Sequence, residues 1–565
     1  MGNLANIYTD LGRHAEAEQL KQQVLKQRAT ILGANHPDTL WTMGNLANTY
    51  THLGRHVEAK QLKQQVLKQQ TVILGANHPE TLRTMGNLAS IYTHLGRHAE
   101  AEQLKQQVLK QQTAVLGANH PDTLQTMGNL ANIYTDLGRH AEAEQLKQQV
   151  LKQRTAILGA NHPDTLRAIG NLASTYSHLG RHAEAEQLQQ QVLKQRTAIL
   201  GANHPDTLWT MGNLASTYTQ LGRHAEAEQL QQQVLKQRTA ILGADHPDTL
   251  WTMGNLASTY TQLGKYAEAE QLQQKVLKQQ TAILGADHPD TLWTMGNLAS
   301  TYTHLGRHAE AEQLEQQVLE QRTAILGANH PHTLQTMGNL ASTYTQLGRH
   351  AEAEQLHQQV LKQRTAILGA NHPDTLWTMS NLASTYTHLG KYAEAEQLQQ
   401  KVLKQQTAIL GADHPDTLWT MGNLANIYTD LGRHAEAEQL KQQVLKQRAT
   451  ILGANHPDTL WTMGNLASTY THLGRHAEAE QLEQQVLEQR TAILGANHPH
   501  TLQTMGNLAL SYQNLSKHVD AEQLYKMVLE KQISILGQEH PNTVWTRKAL
   551  ASLQEEMQQM SESST

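Results

Sequence analysis

The chain repeats itself every 42 residues. Met1, Met43, Met85 and Met127 stand one period apart, and the register continues to Met505 with Ile169 as its one departure. All 13 prolines keep that register, each preceded by histidine, from His36-Pro37 to His540-Pro541. Residues 1–42 and 421–462 are identical, as are 295–336 and 463–504. A period of this size marks a solenoid, a propeller or an array. It overrides the three or four separate domains that 565 residues would otherwise suggest. Identity at this level implies recent duplication.

One unit reads as two helices. Pro37 suits a first helical position, where a missing N–H costs nothing, and Asp38 favours the positive end of the helix dipole. Leu40, Met43, Leu46, Ala47, Tyr50 and Leu53 follow at three- and four-residue steps, forming one apolar stripe. Gly54 stops this helix A. Helix B starts near His56, with Ala59, Leu62, Val66, Ile73 and Leu74 expected on its buried side. Gly75 ends it, and Ala76-Asn77-His78-Pro79 opens the next copy. No segment alternates as a strand does. Neither helix can bury its stripe within one copy, so the copies must stack.

These residues resemble the tetratricopeptide signature. Met43, Leu46, Ala47 and Tyr50 fill its first block and Ala59 its small position on helix B. The aromatic expected four residues after Ala59 is absent. Lys63 stands there, with Lys, Gln, Glu or His in other internal copies, and only the last copy keeps an aromatic, Tyr525. The 42-residue form, with N-L-A-x-x-Y, L-G-[RK]-[HY]-x-E-A-E and L-G-x-x-H-P, is similar to the kinesin light chain subfamily. That subfamily also occurs as repeat tails of nucleotide-binding signalling proteins and in nephrocystin-like proteins. The resemblance implies an all-α fold, a right-handed superhelical solenoid of antiparallel helix pairs. Thirteen repeats would span residues 1–546, with a capping helix and polar tail over 547–565 and a half repeat near 547–557. The heavy-chain-binding coiled coil of kinesin light chains has no counterpart here.

In that family the A helices line a concave groove. Carried onto this chain, the groove holds an asparagine in every copy, from Asn3 onward: Asn45, Asn87, Asn129, Asn171, Asn213, Asn255, Asn297, Asn339, Asn381, Asn423, Asn465 and Asn507. It also holds the tryptophans Trp41, Trp209, Trp251, Trp293, Trp377, Trp419, Trp461 and Trp545, and Arg83 and Arg167 at the same register position. An amide can donate to and accept from a peptide backbone at once. Trp has the profile of a binding hot spot, and Gly44 with its copies leaves room for a close backbone approach. The structural alternatives are that the asparagines cap or bridge neighbouring A helices and that Trp packs between repeats. Gly44 also stands where a carboxylate clamp would need its first lysine, which speaks against a dedicated reader of C-terminal carboxylates.

Several functions are excluded or disfavoured. A net charge of −5 over this length shows no nucleic-acid or membrane bias. Cys is absent, removing disulfides and thiolate sites. No stretch approaches a membrane span, and the first residues lack a signal peptide's pattern. Of 33 histidines, 13 precede proline, where a helix-start role suffices, and no metal is expected. Glu16 and Glu18 lie two apart, which separates them on a helix. The Gln-rich stretches read as a solvated helix face. No catalytic motif occurs, so neither an enzyme nor a cofactor is expected.

The expectation is a cytoplasmic scaffold or adaptor binding a protein or peptide, without nucleic acid or membrane. The alternative is the ligand-sensing repeat tail of a nucleotide-binding signalling protein. The first copy lacks the Pro-Asp start of its helix A, and Met1 sits in repeat phase. This suggests the tail of a longer product, and self-association through the uncapped first repeat. The divergent copy 505–546, with Leu510, Asn514, Ser516 and Tyr525, reads as the C-terminal cap.

Overall fold

The computed structural model describes residues 2–10 and 13–563. Met1, residues 564–565 of the polar tail and the side chain of Asn3 lie outside what is described. The described residues form 27 helices and no strand. Helices A and B alternate, as in α3 (Pro37–His52) and α4 (His56–Leu74). The last helix, α27 (Pro541–Ser563), runs without a break across residue 546.

Local chemistry sets the boundaries. The Nδ1 of His36 accepts from the Asp38 N–H at 3.2 Å, so the histidine before each proline is the N-cap and Pro37 follows it in the first turn. Helix A ends where Gly54 takes φ 72°, left-handed backbone that glycine adopts without cost. Helix B ends at Gly75 with φ 90° and ψ 160°, a region essentially reserved for glycine.

Each packing cluster draws on at least two copies. Leu40, Met43 and Val66 are buried together against Leu62 of their own copy and Leu25 of the one before. The pattern recurs along the chain, for example at Leu250, Met253 and Val276 against Leu235 and Leu272. Burying each Leu-sized side chain stabilises by about 1.5–3 kcal/mol, so neighbouring copies hold one another folded. Outside this core, Arg55 Nη1 reaches back to Glu18 at 2.8 Å, and equivalent pairs recur at Arg139–Glu102 and Arg223–Glu186.

Two details depart from the sequence expectation. Ile73 and Leu74 are 47% and 39% exposed rather than buried. Helix B has 19 residues against 16 in helix A, so its last turn overhangs the packed layer. The Gln-rich face is not wholly solvated either: Gln189, Gln231, Gln273 and Gln399 are buried.

Curvature follows from unequal spacing. Successive A helices approach each other directly, as α7 (Pro121–Asp136) does with α9 (Pro163–His178), whereas successive B helices do not pack as closely. The A layer is therefore the inner, concave one.

The curvature closes the solenoid on itself. His288 Nε2 lies 3.0 Å from the carbonyl of His52, where α3 ends. The helix that His288 caps, α15 (Pro289–His304), begins six repeats after α3. The same bond joins His330 to His94, His372 to Asp136, His414 to His178, His456 to Gln220, His498 to Gln262 and His540 to His304, at 3.0–3.3 Å. In each, Nδ1 accepts the cap bond, so Nε2 carries the proton and donates. The proline after each histidine covers the turn glycine: a Cβ on Gly54 would lie 2.5 Å from Pro289 Cδ. One coil thus takes six repeats, and consecutive coils meet at their A helices.

Candidate inner-wall binding site

The inner wall is built from side chains of helix A that leave the packed stripe. Asn87, Asn171 and Asn339 are exposed, and Asn45, Asn129, Asn213, Asn255, Asn297, Asn381, Asn423 and Asn465 are half-buried. Only two of these amides are engaged: Asn129 accepts from Gln125 at 3.0 Å and Asn339 from Gln335 at 2.9 Å, both along their own helix. Among the described residues, no groove asparagine bridges two A helices.

The tryptophans are both packed and presented. Trp209 stacks on Trp251 with ring centres 5.5 Å apart, and Trp377 on Trp419 at 4.8 Å. Even so, Trp209 remains 49% exposed and Trp251 37%. They also take up the space expected to admit a ligand beside the glycines. A Cβ on Gly254 would meet Trp293 at 3.1 Å, and one on Gly212 would meet Trp251 at 3.8 Å. Beside Gly44 and Gly86 the occupants are the ammonium groups of Lys63 and Lys105. Arg83 and Arg167 are exposed but paired within their own helices, to Glu80 and to Asp164, and Arg167 also donates to Gln125 of the copy before at 3.2 Å.

Lys63 and its counterparts were the position that sequence reasoning undervalued. They fill the slot of the missing aromatic and lie buried beneath the inner wall. Lys147 donates to Thr175 Oγ1 at 2.8 Å, Thr301 donates to Gln273 at 2.8 Å, and Ser511 donates to Glu483 at 2.8 Å, each bond joining helix B of one copy to the A helix of the next. Burial pushes Lys63 down to about 8, helped by Arg83, and pushes Glu315 and Glu483 up to about 7. The legible signal was that near-identical copies change charge here while most of the unit stays fixed.

Two clefts lie on this wall. One, of about 620 Å³, is lined by Trp41, Asn45, Asn48, Lys63, Arg83 and Asn87, with Ile73 and Leu74 at its edge. The other, of about 520 Å³, takes Asn171, Ser174, Trp209, Asn213 and Ser216 from one coil and His414, Pro415 and Asp416 from the next. Clefts of about 470 and 540 Å³ also occur between B helices, around Leu109, Tyr134 and Leu146 and around Leu361, Tyr386 and Leu398. There Gln106 bonds both Glu102 and Tyr134.

The histidines gather at the junctions between coils. His56 stacks on His94 with centres 5.0 Å apart, and His330 bonds the carbonyl of that same His94. Among the described residues, no group of three or more His, Cys, Asp or Glu side chains is arranged to hold a metal ion. No helix among them is long and apolar enough to cross a membrane.

Comparison with known proteins gives a consistent result. A family model described as tetratricopeptide repeat matches thirteen overlapping segments, from residues 1–71 to 500–564. Two solved structures of nearly identical TPR-like repeats, from a putative kinesin light chain of Podosopora anserina, are 32% identical. Each covers 36% of this chain and 97% of its own, with a TM-score of 0.32. The structure of BtubC (BKLC) from P. vanneervenii is 18% identical, covering 41% of this chain and 92% of its own, with a TM-score of 0.33. No curated protein matches the chain.

Proposed function

The chain belongs to the tetratricopeptide repeat family, whose arrays are generally protein–protein interaction scaffolds, and on that premise we propose that its inner wall holds an extended peptide or a partner helix. One observation carries this reading. The A helices present a row of asparagine amides, most without a partner inside the chain, beside half-exposed tryptophans. Amides left open in a cleft match the alternating donors and acceptors of a peptide backbone. The clefts between B helices carry no asparagine and no tryptophan.

The wall is preformed by packing, so little ordering is needed on binding. Many equivalent weak contacts along one ligand add through avidity. The changing charge at the Lys63 position, from lysine through glutamine and histidine to glutamate, gives each stretch of wall its own electrostatic character.

The test begins with partners captured on the full chain. Replacing Asn213, Asn255 and Asn297 together by alanine removes three amides. At about 0.5–1.5 kcal/mol for each lost hydrogen bond, affinity for a captured partner should fall roughly tenfold or more. Helicity and melting should not change, because none of the three amides makes a hydrogen bond within the chain. Unchanged affinity would refute the proposal, and a matching loss of helicity would make these residues structural.

A further inference from the structure

The lysines beneath the inner wall divide by the residue that meets them. Lys147 and Lys441 donate to Thr175 and Thr469 of the next copy at 2.8 and 2.9 Å. At Lys63 and Lys105 the corresponding residues are Ile91 and Ile133, which offer an ammonium nothing. Both lysines are buried, 4% and 3% exposed, and among the described residues neither makes a hydrogen bond or an ion pair. An ammonium held out of water without a partner is costly. Their Nζ atoms nonetheless rise to the wall. A Cβ on Gly44 would lie 3.6 Å from Lys63 Nζ, and one on Gly86 would lie 3.4 Å from Lys105 Nζ.

The two lysines differ in their flanks. Arg28 of the copy before and Arg83 of the copy after line the cleft over Lys63, whereas the same register positions around Lys105 hold Gln70 and Gln125. Arg28 is fixed there by bonds from Nη1 to the Asp38 carbonyl and to Thr42. The carboxylates of the cleft do not answer Lys63: Glu80 is paired with Arg83, and the Asp38 side chain is 62% exposed. We propose that this cleft of about 620 Å³ is a phosphoryl site, with Lys63 at its floor and the two arginines at its sides. A phosphoryl group carries about 1.5 to 2 negative charges and three acceptor oxygens, so it can meet cations arriving from three sides. A carboxylate brings a single charge and two oxygens in one plane. Asn45 and Asn87 add amide donors at the same cleft. The site goes beyond the peptide reading and does not depend on it, since Asn213, Asn255 and Asn297 lie outside this cleft.

Calorimetric titration of the full chain with inorganic phosphate reads the site directly, with acetate as the carboxylate probe. Phosphate should bind roughly tenfold more tightly than acetate. Two substitutions keep to residues the array already uses. Lys63→Gln places there the residue found at Gln189 and Gln231, and Ile91→Thr restores the kind of partner that holds Lys147. Each should weaken phosphate binding roughly tenfold, and neither should melt lower than the wild type. Lys105→Gln should leave phosphate binding unchanged. So should the joint replacement of Asn213, Asn255 and Asn297 by alanine, which separates a failure of the peptide reading from a failure of this one. A peptide carrying one phosphoserine, set against its unphosphorylated form, then identifies the source. Binding tighter than that of inorganic phosphate places the group on a partner chain, and equal binding marks a free phosphorylated ligand; either supports the site. An absence of phosphate binding, acetate bound as tightly, no loss in Lys63→Gln, or an equal loss in Lys105→Gln would overturn the proposal.

Discussion

The triple variant Gly138→Ala, Gly180→Ala, Gly222→Ala opens the coil: its radius of gyration rises in small-angle scattering while its helix content holds. Each of these glycines has φ near 72°, and a Cβ there would lie 2.3–2.5 Å from the Cδ of Pro373, Pro415 or Pro457. Two costs therefore fall on the variant. Left-handed backbone costs an alanine roughly 1–2 kcal/mol, and the proline must also move away. A second set separates the two. Gly390, Gly432 and Gly474 have φ of 73–74° but no atom within 4 Å. Alanine there carries the same backbone cost with no clash, so that set should melt lower without changing dimensions. If both sets expand alike, or neither does, the junctions do not hold the coil closed.

Acid loosens the same junctions. Burial pushes His56 down to about 4, with His94 and His330 adding to it. Burial likewise lowers His224 to about 4, with His498 and His456 adding while Asp458 opposes. His14, His140, His332, His357 and His500 are also lowered to about 4. The folded chain refuses protons that the unfolded chain accepts from the ordinary value of 6.5 downward. Stability from these groups is intact above that value and declines as pH falls towards 4.

Four carboxylates act the other way, Asp430 among them, raised by burial. Asp136 is raised to about 6, and Glu315 and Glu483 to about 7, so they favour folding as pH falls. Seven histidines outweigh these four carboxylates. The buried lysines, lowered to about 8, have made their change before neutrality is reached. Melting at about pH 5 should be well below that at about pH 7.5, with scattering showing expansion before helix is lost. A melting point that holds or rises on acidification would contradict this account.

Helix boundaries were legible because their determinants are local. His36-Pro37, Gly54 and Gly75 act within a few residues of where they stand. The coil was not legible, because its pitch comes from small rotations per copy that accumulate over six repeats. No spacing rule joins His288 to a carbonyl 236 residues earlier. The helix-start role assigned to that histidine was correct and accounted for only one of its two nitrogens. Lys63 was read as a lost aromatic, yet a long side chain can bury its stem and carry its charge to the wall. Ile73 and Leu74 kept the apolar pattern past the point where helix A could cover them. At the inner wall the sequence placed the asparagines on the A helices, but it did not show that Trp251 and Trp293 would lie over the glycines of the copies before them.

The central claim is that a partner lies on the A-helix wall and not between B helices. A photo-crosslinking residue placed at Ser174 or Ser216 samples the inner cleft, and one at Gln149 samples an outer one. The account predicts covalent capture of the bound partner from Ser174 and Ser216 and none from Gln149. Capture from Gln149 alone would contradict it.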